Sequence, residues 1–273
     1  MKLFNTQKGI YLEFENQSFK LESEDWDYIV NQDSLTDFLK TCKKSPEYLP
    51  SESDFLPPIK NQEIWASGVT YLRSKKARME ESKDAGGGDF YDRVYDADRP
   101  ELFFKATAAR TVGHQQNIKI RKDSKWNVPE PEFTLFVNSQ GKIAGYTVGN
   151  DISSRDIEGE NPLYLPQAKS YDKSAAIGPC LYVFEGNLGQ NSEINLEIIR
   201  NNEIVFAGNT STAQMKRNFT ELVAYLTREC SFPHGCYLMT GTGIIPPDDF
   251  SMISGDIVKI TIEKVGTLIN TVE

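Results

Sequence analysis

The chain has 273 residues, 39% apolar and 25% charged, with 39 acidic against 30 basic side chains, a formal net charge of -9 and four cysteines, Cys42, Cys180, Cys230 and Cys236. That usage fits one large domain, or a large and a small one, and excludes a collagen-like chain, a fully disordered chain and a disulfide framework; without a clustered basic tract, nucleic acid and anionic membrane are excluded as partners too. No apolar run nears the ~20 residues that cross a bilayer and the opening MKLFNTQKGIYLEFEN has no apolar leader core, so the expectation is a soluble, reduced, cytoplasmic protein.

Residues 1–4 and 10–14 read as short strands by their apolar alternation. Ser34-Leu-Thr-Asp37 reads as a capping box opening a helix that carries Leu35, Phe38 and Leu39 to Cys42. The turn-forming run from Tyr48 to Pro58 marks a boundary, giving a small N-terminal domain at 1–58 and a main domain at 59–273. Residues 64–67 read as a buried strand, 71–84 as a charge-dense helix stopped by Gly86-Gly-Gly88, and 101–105 as a strand. The stretch between these two strands, about 72–95, is expected to form either a mobile lid or a plain helix followed by a surface loop.

The rest is mostly strands: 132–137 and 142–149 flanking the loop Asn138-Ser-Gln-Gly141, then 181–184, 194–199, 203–206 and 256–262. One helix intervenes, with Met215, Phe219, Leu222, Val223 and Leu226 on a single stripe. The class is α+β and β-rich. Strands and helices do not alternate as a doubly wound sheet requires, and Gly241-Thr-Gly243 lacks the third glycine of a dinucleotide fingerprint.

The chemistry concentrates in Val128-Pro-Glu-Pro-Glu-Phe133. Glu130 and Glu132 are two apart, so on an extended chain both leave one face. If Val137 pairs with Lys142 across a four-residue loop, Glu132 faces Thr147 and Glu130 faces Gly149, and Asp151 shares their face. Side chains from that spacing can converge on one ion. Three carboxylates with no histidine or cysteine form an oxygen-only site, suited to Mg²⁺, Mn²⁺ or Ca²⁺ rather than Zn²⁺.

These residues, with Gly145-Tyr-Thr-Val-Gly-Asn-Asp-Ile-Ser-Ser-Arg-Asp156, Lys169-Ser-Tyr-Asp172, Ile177-Gly-Pro179 and Thr240-Gly-Thr-Gly243, resemble the fumarylacetoacetate hydrolase family from about residue 64 to the end. The resemblance implies a fumarylacetoacetate-hydrolase-like β-roll around one divalent ion held by Glu130, Glu132 and Asp151. It implies a substrate contact from Lys169, a carboxylate-binding turn at Gly241-Thr242, and a homodimer or homotetramer. Hydrolytic members carry Asn-Tyr-x-x-His after the first strand of this domain, and that histidine serves the attacking water. Here Thr70 and Ser74 stand at those places. A serine hydroxyl has no pKa near neutrality and cannot act as that base. His114 and His234 lie outside the motif and are expected to be structural.

The variant run Trp65-Ala-Ser-Gly-Val-Thr-Tyr-Leu-Arg-Ser74 with Arg99-Pro-Glu-Leu-Phe-Phe-Lys105 is similar to one branch, the 2-keto-3-deoxy-D-arabinonate dehydratases. That likeness puts Glu101 at a catalytic acid/base position and closes the helix at 70–83 over the ion. The implied activity is Mg²⁺-dependent loss of water from a 2-keto-3-deoxy sugar acid, with Glu101 and Lys169 catalytic and Arg73, Lys169 and Thr242 binding the substrate, a small 2-oxo acid. Acyl-pyruvate hydrolysis or tautomerisation in the same fold is the alternative, and a non-catalytic binding protein is the third reading.

Overall fold

The structure, a computed structural model, describes residues 1–81, 93–186, 188 and 191–273, less the side chains of 76–78, 80 and 81. The chain opens with an antiparallel meander, β1 (Lys2–Thr6), β2 (Gly9–Phe14) and β3 (Gln17–Leu21). Glu15 and Asn16, both at positive φ, make the tight turn between β2 and β3, the turn whose twist matches paired strands. Helices α1 (Trp26–Val30) and α2 (Leu35–Thr41) and strand β4 (Lys44–Pro46) follow. Strand β5 (Glu63–Gly68) leads into helix α3 (Leu72–Glu81), and β6 (Glu101–Thr107) returns antiparallel to β5. Short strands β7 (Thr111–Val112), β8 (Asn117–Ile118) and β9 (Asn127–Val128) precede the central hairpin of β10 (Pro131–Val137) and β11 (Ile143–Asp151). Next come β12 (Ser153–Ser154), α4 (Arg155–Glu160), α5 (Leu165–Lys169) and β13 (Ala175–Tyr182). The chain closes with β14 (Glu193–Arg200), β15 (Glu203–Ser211), α6 (Phe219–Leu226), β16 (Cys236–Met239), β17 (Ile257–Ile262) and β18 (Gly266–Val272).

The larger sheet runs β4-β3-β2-β1-β13-β11-β10-β16-β5-β6, with β7 beside β13; the smaller runs β15-β14-β17-β18-β8. The two sheets pack through one apolar layer in which Phe133, Leu135, Val148, Leu196, Ile198, Val258 and Ile260 are buried. Phe136, the neighbour of Leu135, points the other way. It joins a second layer with Leu3, Leu12, Trp26, Ile29 and Tyr237 on the far face of the larger sheet. Both faces of β10 are therefore covered, which is why it reads as a nearly continuous apolar run rather than an alternating one. Residues 1–58 add their strands to this same sheet, β1 pairing with β13.

The structure departs from the sequence reading at four places. The hairpin pairs Glu132 with Gly149 and Thr134 with Thr147, not Glu132 with Thr147 and Glu130 with Gly149. Asn138 closes a three-residue loop through its N–H to Lys142 O, and a bulge between Phe136 and Val137 shifts the register again. The odd loop and the one-residue bulge each flip the face parity, so together they restore it. Ser34 caps the start of α2, but its hydroxyl bonds Asp37 Oδ2 at 2.7 Å instead of a backbone N–H, so the capping box is a side-chain pair. Helix α6 starts at Phe219, where the Asn218 side chain accepts from Glu221 N at 2.7 Å; Met215 lies outside the helix and bridges Tyr71. Of the strand expected at 181–184, residues 181–182 are the end of β13, which begins at Ala175 and includes Ile177-Gly-Pro179, and 183–184 lie beyond it. Of the expected lid, Gly86-Gly-Gly88 and the rest of 82–92 lie outside the described residues. No described helix is long and apolar enough to cross a membrane.

Candidate active site

The ends of β10 and β11 bring three acids together. Asp151 N donates to Glu130 O at 2.9 Å, which sets these two residues opposite each other, and Glu132 sits two residues along the same face. Glu130, Glu132 and Asp151 are all buried and each offers an oxygen within 4.8 Å of the others. Three like charges in a dry place repel and are poorly solvated. The structure answers with three buried cations. Lys169, at the end of α5, places Nζ 2.6 Å from Glu130 Oε2, 3.1 Å from Asp151 Oδ2 and 2.6 Å from Ser153 Oγ. Arg155, the first residue of α4, places Nη1 2.6 Å from Glu130 Oε1. Lys105, fully buried on β6, stands 2.6 Å from Asp151 Oδ1 and donates to Ile152 O at 3.0 Å and to Lys169 O.

Glu132 differs from the other two acids. It is the one of the three to which no cation side chain is bonded among the described residues. Its Oε2 accepts from the backbone N–H of Gly241. Gly241 sits at φ +94°, and a Cβ there would lie 2.0 Å from Thr70 Oγ1, so the turn that aims this N–H needs glycine. Burial first, then the Asp151 and Glu130 charges, push the Glu132 carboxyl well above the usual carboxylate range, while the Gly241 N–H and Lys169 pull it down. Burial lowers the Lys105 ammonium from the usual lysine value and Asp151 opposes the shift.

This donor set fits a hard divalent ion. All three groups are oxygen donors, and an octahedral Mg²⁺ with bonds of about 2.1 Å spaces its ligand oxygens roughly 3–4 Å apart. The observed 4.8 Å envelope needs only a small contraction to reach that spacing. The ion also supplies the positive charge that Glu132 lacks.

The acids open onto a small cavity lined also by Lys169, Arg155, Ser74, Phe103, Thr242 and Gly68. Of the residues read from the sequence, Glu130, Glu132, Asp151, Lys169 and Thr242 line this one space. Glu101 starts β6 directly opposite Gly68, and its carboxyl lies where a Cβ of Gly68 would be, against the cavity wall. Arg73 is exposed at the rim, its Nη2 donating to Ile245 O at 3.2 Å. Ser74 spends its hydroxyl within the first turn of α3, donating to Tyr71 O at 2.7 Å and accepting from Tyr71 N at 3.2 Å. His114 is buried away from the cavity, within 3.2 Å of Glu52, and His234 is half exposed beside Asp27. Sequence reasoning assigned no role to Lys105, Arg155 or Ser153. A lysine closing the apolar run Leu102-Phe-Phe, and an arginine in a polar run just after a strand, were the available signals.

Residues 63–273 match the family described as Fumarylacetoacetate (FAA) hydrolase C-terminal. This chain belongs to the fumarylacetoacetate hydrolase family. It is 50% identical over 216 residues to a probable 2-keto-3-deoxyxylonate dehydratase of Haloferax volcanii, covering 79% of this chain and 73% of that one. It is 44% identical over 218 residues to the 2-dehydro-3-deoxy-D-arabinonate dehydratase of Saccharolobus solfataricus, with the same two coverages, 79% and 73%. Its fold superposes with a TM-score of 0.85 and 35% identity on a 2-keto-3-deoxy-D-arabinonate dehydratase complexed with magnesium and 2,5-dioxopentanoate, over 100% of this chain and 99% of that one.

Proposed function

We infer that this chain is a divalent-metal-dependent hydro-lyase that removes water from a 2-keto-3-deoxypentonate to form 2,5-dioxopentanoate. The observation that carries the reading is the buried oxygen triad with Lys169 inside a cavity that no histidine lines. The dehydratase relatives support it. Their two substrate names describe closely related acids, because the C2 and C3 centres that separate arabinonate from xylonate vanish in a 2-oxo-3-deoxy acid.

Glu130, Glu132 and Asp151 would hold the ion, which supplies Lewis-acid polarisation of the 2-oxo acid, worth several kcal/mol of charge stabilisation. Lys169 Nζ holds negative charge as it grows on the substrate. Glu101 takes a C3 proton, the C4–O bond breaks, and the same carboxyl returns a proton to the departing hydroxide, giving water and a C3=C4 bond. Moving a C5 proton to C3 then gives the C4=C5 enol, and transfer of its hydroxyl proton to C4 leaves the C5 aldehyde. The Gly241-Thr242 turn seats the substrate carboxylate, and Arg73 at the rim faces the distal hydroxyl. Ser74, with its hydroxyl committed to Tyr71, offers no base for the water attack that C–C hydrolysis needs.

Incubating the protein with Mg²⁺ and 2-keto-3-deoxy-D-arabinonate tests this directly. The expected result is 2,5-dioxopentanoate, lost on chelation. Efficient cleavage of fumarylpyruvate or acetylpyruvate with the sugar acid untouched would replace this reading with the hydrolase one. We further propose a cytoplasmic homodimer or homotetramer. Edge strand β15 supports this by leaving Ile204 and Val205 in solvent, and light scattering decides the assembly.

A further inference from the structure

Thr70 is a buried polar side chain that the mechanism above leaves unused. Its Oγ1 donates to Thr240 O at 2.7 Å. That carbonyl belongs to the same peptide unit as the Gly241 N–H, which donates to Glu132 Oε2. The C=O and N–H of a planar trans peptide point in opposite directions, so one rigid plane joins the Thr70 hydroxyl to one of the three acids proposed to hold the ion. The plane needs such a lock. Thr240 is fixed on its other side, where its N–H and Oγ1 reach Phe133 O at 3.2 and 2.7 Å. On the near side stands Gly241 at φ +94°, whose backbone turns at little steric cost. A flip of this peptide would aim a carbonyl oxygen at Glu132 in place of the N–H.

Thr70 is itself anchored. Its carbonyl accepts from Lys216 N at 2.9 Å, and its neighbour Tyr71 bridges Met215, both partners lying in the link between β15 and α6. The fit to the turn is close: Thr70 Oγ1 stands 2.0 Å, and Ser67 O 3.0 Å, from where a Cβ of residue 241 would be. The start of α3 is thus tied to Glu132 by two hydrogen bonds in series through one peptide. Donation to the carbonyl polarises the peptide and strengthens its N–H as a donor. Contacts of this kind set the orientation of a ligand, and metal affinity depends on them.

We propose that Thr70 is a positioning residue for the metal site: its hydroxyl locks the Thr240–Gly241 peptide, so that the Gly241 N–H holds Glu132 beside Glu130 and Asp151 before the ion binds. The proposal rests on the metal-binding part of the proposed function, not on the loss of water.

The test compares Thr70→Val, which keeps the shape and loses the donor, with Thr70→Ser, which keeps the hydroxyl, on the full chain without substrate. Mg²⁺ affinity by calorimetry should fall about 10- to 100-fold in Thr70→Val and stay within about 3-fold of wild type in Thr70→Ser. Amide exchange of Gly241 in the ion-free protein, followed by NMR, should quicken about 10-fold or more in Thr70→Val while that of Thr240 holds. The two readings must move together, and either one alone overturns the proposal. A merely structural threonine would lower the melting temperature of Thr70→Val and leave both readings at wild type, which overturns it too. So would equal losses of Mg²⁺ affinity in the two variants, since the serine keeps the hydroxyl. If Thr70→Val does not fold, the ion-free wild type decides: a Gly241 amide protected like those of β10 upholds the lock, and one that exchanges like an exposed loop refutes it. A wild type that binds no Mg²⁺ refutes the metal reading and the proposal with it. One that shows these responses but forms no 2,5-dioxopentanoate refutes the dehydratase reading alone.

Discussion

The role assigned to Glu101 can be tested without touching Glu101. Gly68 faces it across β5 and β6, and a Cβ built on Gly68 would lie 2.0 Å from Glu101 Oε2, 2.5 Å from Cδ and 3.0 Å from Oε1. Carbon contacts settle at about 3.5–4.0 Å, so in Gly68→Ala the carboxyl must retreat by about 1.5 Å. It is the end of a flexible side chain, and a rotamer change costs roughly 0.5–1.5 kcal/mol, so the fold should survive. Displacing a reacting group by ~1 Å can cost about 10²-fold in rate. Gly68→Ala should therefore form 2,5-dioxopentanoate with kcat down about 10²-fold. Its melting curve should stay near wild type and calorimetric Mg²⁺ affinity should be unchanged, since the triad lies at the adjoining ends of β10 and β11. Glu101→Gln, which keeps the shape and loses the base, should show a loss of about the same size. The double variant should be no worse than Glu101→Gln, because both changes act through one carboxyl. A methyl that merely crowds the cavity would instead raise KM and leave kcat alone. A folded Gly68→Ala enzyme with wild-type kcat, or a double variant whose losses multiply, would refute the placement of Glu101 at the reacting carbon.

Glu132→Gln should stay folded and lose divalent-ion binding by calorimetry; undiminished binding would remove Glu132 from the ligand set. Burial raises the Glu132 carboxyl well above the usual range, so protons compete with the ion for this carboxyl at higher pH than for an ordinary carboxylate. Ion binding should release protons and weaken as pH falls, read from calorimetry in buffers of different ionisation enthalpy; a release of zero would contradict the assignment. Leu222→Ala, at a fully buried position on α6, should lower unfolding free energy by about 2–5 kcal/mol in denaturant titration, and a loss below about 1 kcal/mol would mean that α6 does not seal the core.

The shared face of Glu130 and Glu132 was legible in the chain because strand periodicity is local: residues two apart point the same way whatever they pack against. The apolar face of α6 from Phe219 to Leu226 and the β-rich class were legible for the same reason, each resting on residue types within a few positions, and the missing base at Ser74 was legible through the family resemblance. The register of the hairpin was not legible, because an odd loop and a bulge are read from backbone hydrogen bonds, not from residue types. Their effects on parity cancelled, which kept the triad on one face although the assumed pairs were wrong. The cations Lys105 and Arg155 were decided only by tertiary structure. A lysine at the end of an apolar strand reads alike whether it reaches solvent or a buried acid. The partners of Lys105 are 46 to 64 residues away and meet it only after β6, β11 and α5 have converged. What three buried carboxylates need is set by the loss of water around them, and a linear sequence carries no record of where that water is lost.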